Sequence, residues 1–317
     1  MSGGKMKKYG FGVDIGGTTI KMGLFDMTGS LLDKWEIPTD TRNNGASILD
    51  DVAEAIRLKM TEKQIDRSDV EGIGIDVPGP VADDGTVFKC VNLGWGVFNV
   101  TETLEEKTGL KVRTANDANA ATLGEMWQGA AKGHSNVVML TLGTGVGGGI
   151  IVNGKIINGP NGAAGELGHI PVDENEQETC GCGKKGCLEQ YASATGIARL
   201  ARRRLEADNS ASSLREIETP SAKDVFDAAK AGDVVACEIV DRFSKILGRA
   251  MAGIACVADP EVFVIGGGVS KAGDILTRNL TEVFVPNAFH ACRSTKIVLA
   301  ELGNDAGIYG CARMLLD

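Results

Sequence analysis

Apolar and polar positions in the first forty residues follow the short period of β-strands. Residues 9–15, 19–25 and 30–37 read as three strands, broken at Gly16-Gly17 and Met27-Thr28-Gly29. Both breaks are short enough for antiparallel hairpins. The period then lengthens. Ile48, Leu49, Val52, Ala53, Ile56 and Met60 recur at helical spacing over 46–60. Residues 72–77 form another apolar strand, stopped by Pro78-Gly79-Pro80, and 111–115 a strand that leads into a helix over 117–131. A second strand group follows. Residues 136–142 are apolar, 143–149 are a glycine-rich turn, and the runs 148–152 and 155–157 flank Asn153-Gly154, a strong hairpin signal. Strand, glycine turn, strand, tight turn, strand thus occurs twice, a weak internal repeat in the order of elements. Helices are predicted over 195–207, 221–230, 233–257, 269–284 and 305–316, with a buried strand at 261–265 ending in Gly266-Gly267-Gly268. The fold class is α/β, mixed sheets with helices on their faces. No composition shift marks a linker, and the repeat places a domain boundary near residue 115.

Composition narrows the partners. At 317 residues the chain suits two domains, and 43% hydrophobic residues can fill their cores. The net charge of −9 argues against nucleic-acid or anionic-membrane binding, which need basic patches. No apolar run approaches the ~18 residues of a membrane span. No signal peptide is visible after the lysines of the first eight residues, so the cytoplasm is the expected location. The leading Met-Ser-Gly-Gly-Lys is given no structural role. Eight cysteines in such a chain read as reduced thiols or metal ligands.

Asp14-Ile15-Gly16-Gly17-Thr18-Thr19 sits on a turn between two strands. Glycine there lets backbone N–H groups approach a phosphate, Thr18 adds a hydroxyl, and Asp14 could face Mg²⁺ through water. A plain hairpin turn fits the same residues. Gly143, Gly145 and Gly148 spell a formal G-x-G-x-x-G. A dinucleotide fold needs a helix after it, whereas a strand follows here, so a second phosphate-facing turn at Thr144 and Gly145 fits better. No P-loop motif occurs. Gly267 and Gly268 join a strand to a helix and suit a nucleotide near a helix N-terminus, or only a tight connection.

Asn116-Asp117 precedes a helix and could simply cap it. Beside phosphate loops, Asp117 could instead accept a proton from a substrate hydroxyl, as kinase aspartates do. His169, Cys180, Cys182 and Cys187 form H-x10-C-x-C-x4-C with glycines at 181, 183 and 186. One imidazole and three thiolates make a closed tetrahedral Zn²⁺ site of the structural kind. Glu166 and Glu189 flank this cluster, and with Asn116 and His169 they could pair with sugar hydroxyls, His169 serving zinc and sugar through its two ring nitrogens. Exposed glutamates are the plainer alternative. Glu174, Glu176 and Glu178 oppose the charges of Lys184 and Lys185. Cys90, Cys237, Cys256, Cys292 and Cys311 read as small buried residues.

Together these segments resemble the ROK family of sugar kinases, its bacterial glucokinases in particular, within the sugar-kinase, actin and heat-shock ATPase superfamily. The likeness runs from Val13-Asp14-Ile15-Gly16-Gly17-Thr18 through Pro78-Gly79-Pro80-Val81, Asn92-Leu93-Gly94-Trp95, Asn116-Asp117-Ala118-Asn119, Leu142-Gly143-Thr144-Gly145, Gly165-Glu166-Leu167-Gly168-His169 and the segment from Cys180 to Glu189. It implies two actin-like α/β domains with an active-site cleft between them: a small one of residues 1–115 plus 303–317, and a large one of 116–302 with the zinc insertion. It implies ATP-dependent phosphorylation of the glucose 6-hydroxyl, Asp117 as base, and Asn116, Glu166, His169 and Glu189 on the sugar, with Asn92 and Gly79 in the same pocket. Phosphates would lie against Gly16, Gly17, Thr18, Thr144 and Gly145. It implies a homodimer or homotetramer. Many members carry Lys directly after Gly-Gly-Thr, where this chain has Thr19 and places Lys21 two residues on; the variant also occurs within the family. Kinases for fructose, allose or N-acetylmannosamine and sugar-sensing regulators are the competing readings, but an N-terminal helix-turn-helix has no room before the strand at Tyr9.

Overall fold

The computed structural model describes residues 7–316, so the leading Met-Ser-Gly-Gly-Lys lies outside the described residues. The chain divides into two compact units. One holds the chain through Gly133, with Ile156–Ala164 and the chain from Asn304; the other holds His134–Lys155 and Gly165–Gly303.

The first unit is built on β1 (Tyr9–Ile15), β2 (Thr19–Asp26), β3 (Leu31–Pro38), β4 (Val70–Val77) and β7 (Val112–Asn116), in the order β3-β2-β1-β4-β7. β1, β2 and β3 pair antiparallel through the two tight turns, and β4 and β7 add in parallel. Between them lie α1 (Arg42–Gly45), α2 (Ile48–Glu62), the two-residue ribbon of β5 (Thr86–Val87) and β6 (Phe98–Asn99), and α3 (Val100–Thr108). α4 (Asp117–Gln128) follows β7. One sheet face packs Phe11, Val13 and Ile15 with Ile48, Val52 and Ile56 of α2. The other receives the C-terminal helix Ala306–Arg313, and glycine makes that approach possible. Gly12 pairs with Gly23 on β2 and Gly74 on β4. A Cβ on Gly12 would overlap the carbonyl of Ile308, and one on Gly74 that of Cys311.

The second sheet is β8 (Val137–Leu142), β9 (Val146–Val152), β10 (Lys155–Ile156, its last residue counted with the first unit), β11 (Val262–Gly266) and β12 (Lys296–Leu299), ordered β10-β9-β8-β11-β12. β8 runs antiparallel to β9 and parallel to β11, which is parallel to β12. The strand order of the first sheet is thus repeated, and the sequence repeat is a repeat of topology. Asn153 and Gly154 carry φ of 52° and 76°, the two left-handed positions that a tight hairpin demands. The helices are α5 (Glu189–Ala192), α6 (Ala194–Ala207), α7 (Ala222–Lys230), α8 (Val234–Ala258) and α9 (Asp274–Asn287). Their core joins Val138, Leu140 and Phe263 to Phe243, Leu247 and Phe284.

Several expectations shift. The glycine turn predicted over 143–149 closes by Gly145, and β9 starts at Val146. The helix predicted over 269–284 is split by Gly273, φ 75°, into a 3₁₀ turn and α9. α3 and β12 are additional. Among the supposedly buried cysteines, Cys237 and Cys256 are exposed, and all eight are free thiols. Among the described residues, no helix is long and apolar enough to cross a membrane.

Candidate active site

In the first unit, the end of β1 sets Asp14 beside Lys21 of β2 and Asp76 of β4. Lys21 Nζ lies 3.3 Å from Asp14 Oδ2 and donates to the carbonyl of Asn304 at 3.1 Å. Asp76 is completely buried and accepts from Cys311 Sγ at 3.3 Å, while its Oδ1 has no hydrogen-bond partner. Burial, and then the charges of Asp14 and Asp117, push its carboxyl well above the ordinary range. The turn after β1 closes with Gly16 N–H on Thr19 O at 3.0 Å. Thr39 holds it from outside, Oγ1 donating to Gly16 O at 2.7 Å and N–H to Thr18 O at 3.0 Å. Gly17 and Thr18 are exposed at its tip.

At the end of β7 the capping duty falls on Asn116. Its Oδ1 accepts from the N–H groups of Ala118 at 3.0 Å and Asn119 at 3.3 Å, and its Nδ2 donates to Gly79 O at 3.1 Å. Asp117 is the first helical residue, exposed, with Oδ1 on the Ala118 N–H at 2.9 Å. A carboxylate here gains from the helix dipole. A Cβ on Gly79 would stand 2.7 Å from Lys89 O and 2.8 Å from Cys90 Sγ. Burial and the charge of Asp117 push the Cys90 thiol up to about 11. Loop 90–95, closed by Cys90 and Trp95 exchanging backbone bonds of 3.1 Å, leaves Asn92 exposed.

In the second unit, turn 143–145 closes with Gly143 N–H on Gly145 O at 3.0 Å, and Gly143 O accepts the Ala194 N–H that opens α6 at 2.8 Å. Thr144 is exposed. Gly267, φ 79°, is held close enough that a Cβ would stand 2.5 Å from Leu142 O, at the root of the same turn. Gly268, Val269 and Lys271 line a cavity of about 340 Å³ with Ala194, Phe226 and Ala272. Turn and cavity are therefore joined through Ala194. Glu189 opens α5 beside the turn: a Cβ on Gly145 would stand 2.8 Å from its Oε2.

Glu189 Oε1 also lies 2.8 Å from Cys180 Sγ and 3.8 Å from His169 Nδ1. His169, Cys180, Cys182 and Cys187 offer ligand atoms all within 4.8 Å of one another. Cys182 and Cys187 Sγ are 3.6 Å apart, and Cys180 Sγ and His169 Nδ1 3.8 Å. A tetrahedral ion with ~2.3 Å bonds to sulfur calls for edges of roughly 3.8 Å, so these residues fit a metal ion. The Lys184 N–H lowers the Cys182 thiol, and burial raises Cys180 and Cys187. His169 Nε2 points the other way, 3.8 Å from Glu166 Oε2.

Two residues escaped the sequence reading. Asp76 lies in the apolar strand predicted over 72–77, where a charge inside an otherwise apolar run is the signal for it. Glu176 enters the sequence reading only as a charge opposing Lys184 and Lys185, yet it is 4% exposed and accepts from Arg203, Arg199 and Tyr191. Arg203 chiefly holds its carboxyl far below the ordinary range. The pairing ties the loop that carries Cys180 to α6.

A sequence model of the ROK family matches residues 10–317. The glucokinase of Halalkalibacterium halodurans is 45% identical over 304 residues, covering 94% of this chain and 92% of that protein. The glucokinase of Thermotoga maritima is 39% identical over 312 residues, covering 96% of each. The crystal structure of a ROK family glucokinase from Streptomyces griseus, in complex with glucose and AMPPNP, is similar with a TM-score of 0.73 at 35% identity, covering 96% of this chain and 98% of that one.

Proposed function

The chain belongs to the ROK family, and from that premise we propose that it is an ATP-dependent glucokinase with Asp117 as its general base. The observation that carries this reading is the division of labour at the start of α4. Asn116 caps the helix, so Asp117 is not needed as the cap residue and stands exposed at the first turn. Asp117 takes the proton of the glucose 6-hydroxyl as that oxygen bonds to the γ-phosphorus, and the bridging bond to ADP breaks. The relatives named glucokinase, and the Streptomyces griseus enzyme bound to glucose and AMPPNP, support the substrate pair.

Asn116, Glu166, His169 and Glu189 hold sugar hydroxyls in this reading, with Gly79 and Asn92 on the Asn116 side. Gly17 and Thr18, at the tip of the turn that Gly16 closes, and Thr144 with Gly145, present backbone N–H groups and hydroxyls to the phosphates. The cavity at Gly268, apolar with a few polar groups, takes the adenine, and Gly267 shapes its entrance. Asp14 would hold a Mg²⁺ ion through water, and that ion would supply positive charge to offset the charge developing on the phosphates. Zn²⁺ is the natural ion for one imidazole and three thiolates. With Nδ1 turned to the cysteines, His169 keeps Nε2 for the sugar. Cytoplasmic location and a homodimer or homotetramer complete the reading.

A panel of hexoses with ATP and Mg²⁺, read by coupled ADP release, tests it. Glucose is expected to give the highest kcat/KM. Preference for fructose, allose or N-acetylmannosamine would move the substrate, and sugar binding without ADP release would favour a sensing regulator.

A further inference from the structure

Between β3 and α2, residues 39–45 touch two sites at once within the first unit. At one end Thr39 makes both hydrogen bonds that grip the phosphate turn, to Gly16 O and Thr18 O. Three residues of the segment then run left-handed in succession: Asn43 at φ 52°, Asn44 at 58° and Gly45 at 65°. Asn is one of the few side chains that tolerates this conformation, and two together before a glycine mark a path imposed by what the chain packs on.

That contact is loop 90–95. Trp95, 6% exposed, donates from Nε1 to Gly45 O at 3.1 Å. A Cβ on Gly45 would stand 2.7 Å from both Leu93 O and Trp95 Nε1, and one on Gly94 2.9 Å from the Cα of Asn44. The two loops therefore interlock at backbone distance, next to Asn92. On its other side loop 90–95 abuts Gly79, whose carbonyl accepts from Asn116. A continuous run of hydrogen bonds and close contacts joins turn 16–18 to the sugar side of the unit.

We propose that residues 39–45 are a positioning segment that couples the phosphate turn to the sugar loop, so that glucose and nucleotide strengthen each other's binding through it. The inference rests on the glucokinase reading. A ligand that fixes one end of an interlocked segment lowers the cost of ordering the other, and the coupling is reciprocal.

The readout is the ratio of AMPPNP dissociation constants without and with saturating glucose, measured by calorimetry. The wild-type ratio should be at least about fivefold, the lower range of such couplings. Thr39→Val removes the hydroxyl bond to Gly16 at one end. Trp95→Phe keeps an aromatic ring against Phe98 and removes the bond to Gly45 at the other. Each should bring the ratio toward one, and the double variant should fall no further than the worse single variant, the non-additivity of one shared path. A wild-type ratio of one, or retention of the wild-type ratio by either variant, overturns the proposal. Wild-type turnover of glucose with ATP tests the reading itself, independently of these ratios.

Discussion

Asp76 is a carboxylic acid sealed inside a sheet, with one oxygen on the Cys311 thiol and the other without a partner. Its carboxyl is raised above the ordinary value of 3.8. The folded state therefore binds a proton that the unfolded state releases as pH rises above about 4. The penalty of holding Asp76 is absent below that pH and grows with pH until the folded carboxyl itself ionises. Asp76→Asn, neutral and of the same shape, should raise the melting temperature at neutral pH, with a gain that shrinks as pH falls toward 4. Thermal melts of both proteins across pH check this, and a gain independent of pH would contradict it. Such a residue is poorly legible in sequence, because its meaning lies in Asp14 on β1 and Asp117 on α4. Asn116-Asp117 was legible as a pair, but which of them caps the helix depends on the turn of the chain into α4.

The segment from Glu166 to Glu189 behaves as one element. It holds the sugar-facing candidates Glu166, His169 and Glu189 on the cysteine cluster, while Glu176 anchors it to α6 through Arg199 and Arg203. Without the ion of the proposed reading, Glu189 would stand against a protonated Cys180 thiol. Chelation should lower the melting temperature and raise the KM for glucose far more than that for ATP. Metal content, melting and kinetics on the same sample check this, and an unchanged glucose KM in metal-free protein would break the link. The cluster was plain in sequence because close Cys spacing with glycine turns has few other uses. α3 was not, since only Val100 and Leu104 of its nine residues are buried. β12 was not either, because its apolar run of Ile297, Val298 and Leu299 is too short to stand out as a strand.

Across the whole molecule, the duplicated run of three strands was legible because each copy opens with hairpins, and hairpins write their turns locally. The long-range course of the chain was less so. Residues 156–164 leave the second unit's hairpin and belong to the first unit, where Asn158 pairs with Asn119 at 2.9 Å and Asp83 at 2.8 Å. Nothing in the local pattern announces such partners. Phosphoryl transfer needs this assembled framework, since catalysis is chiefly the positioning of donor, acceptor and base. The most direct test is Asp117→Asn, with glucose affinity and ADP release measured side by side. Glucose should bind near its wild-type affinity while kcat falls by about 10²-fold or more; turnover close to wild type in the substituted protein would contradict Asp117 as the base.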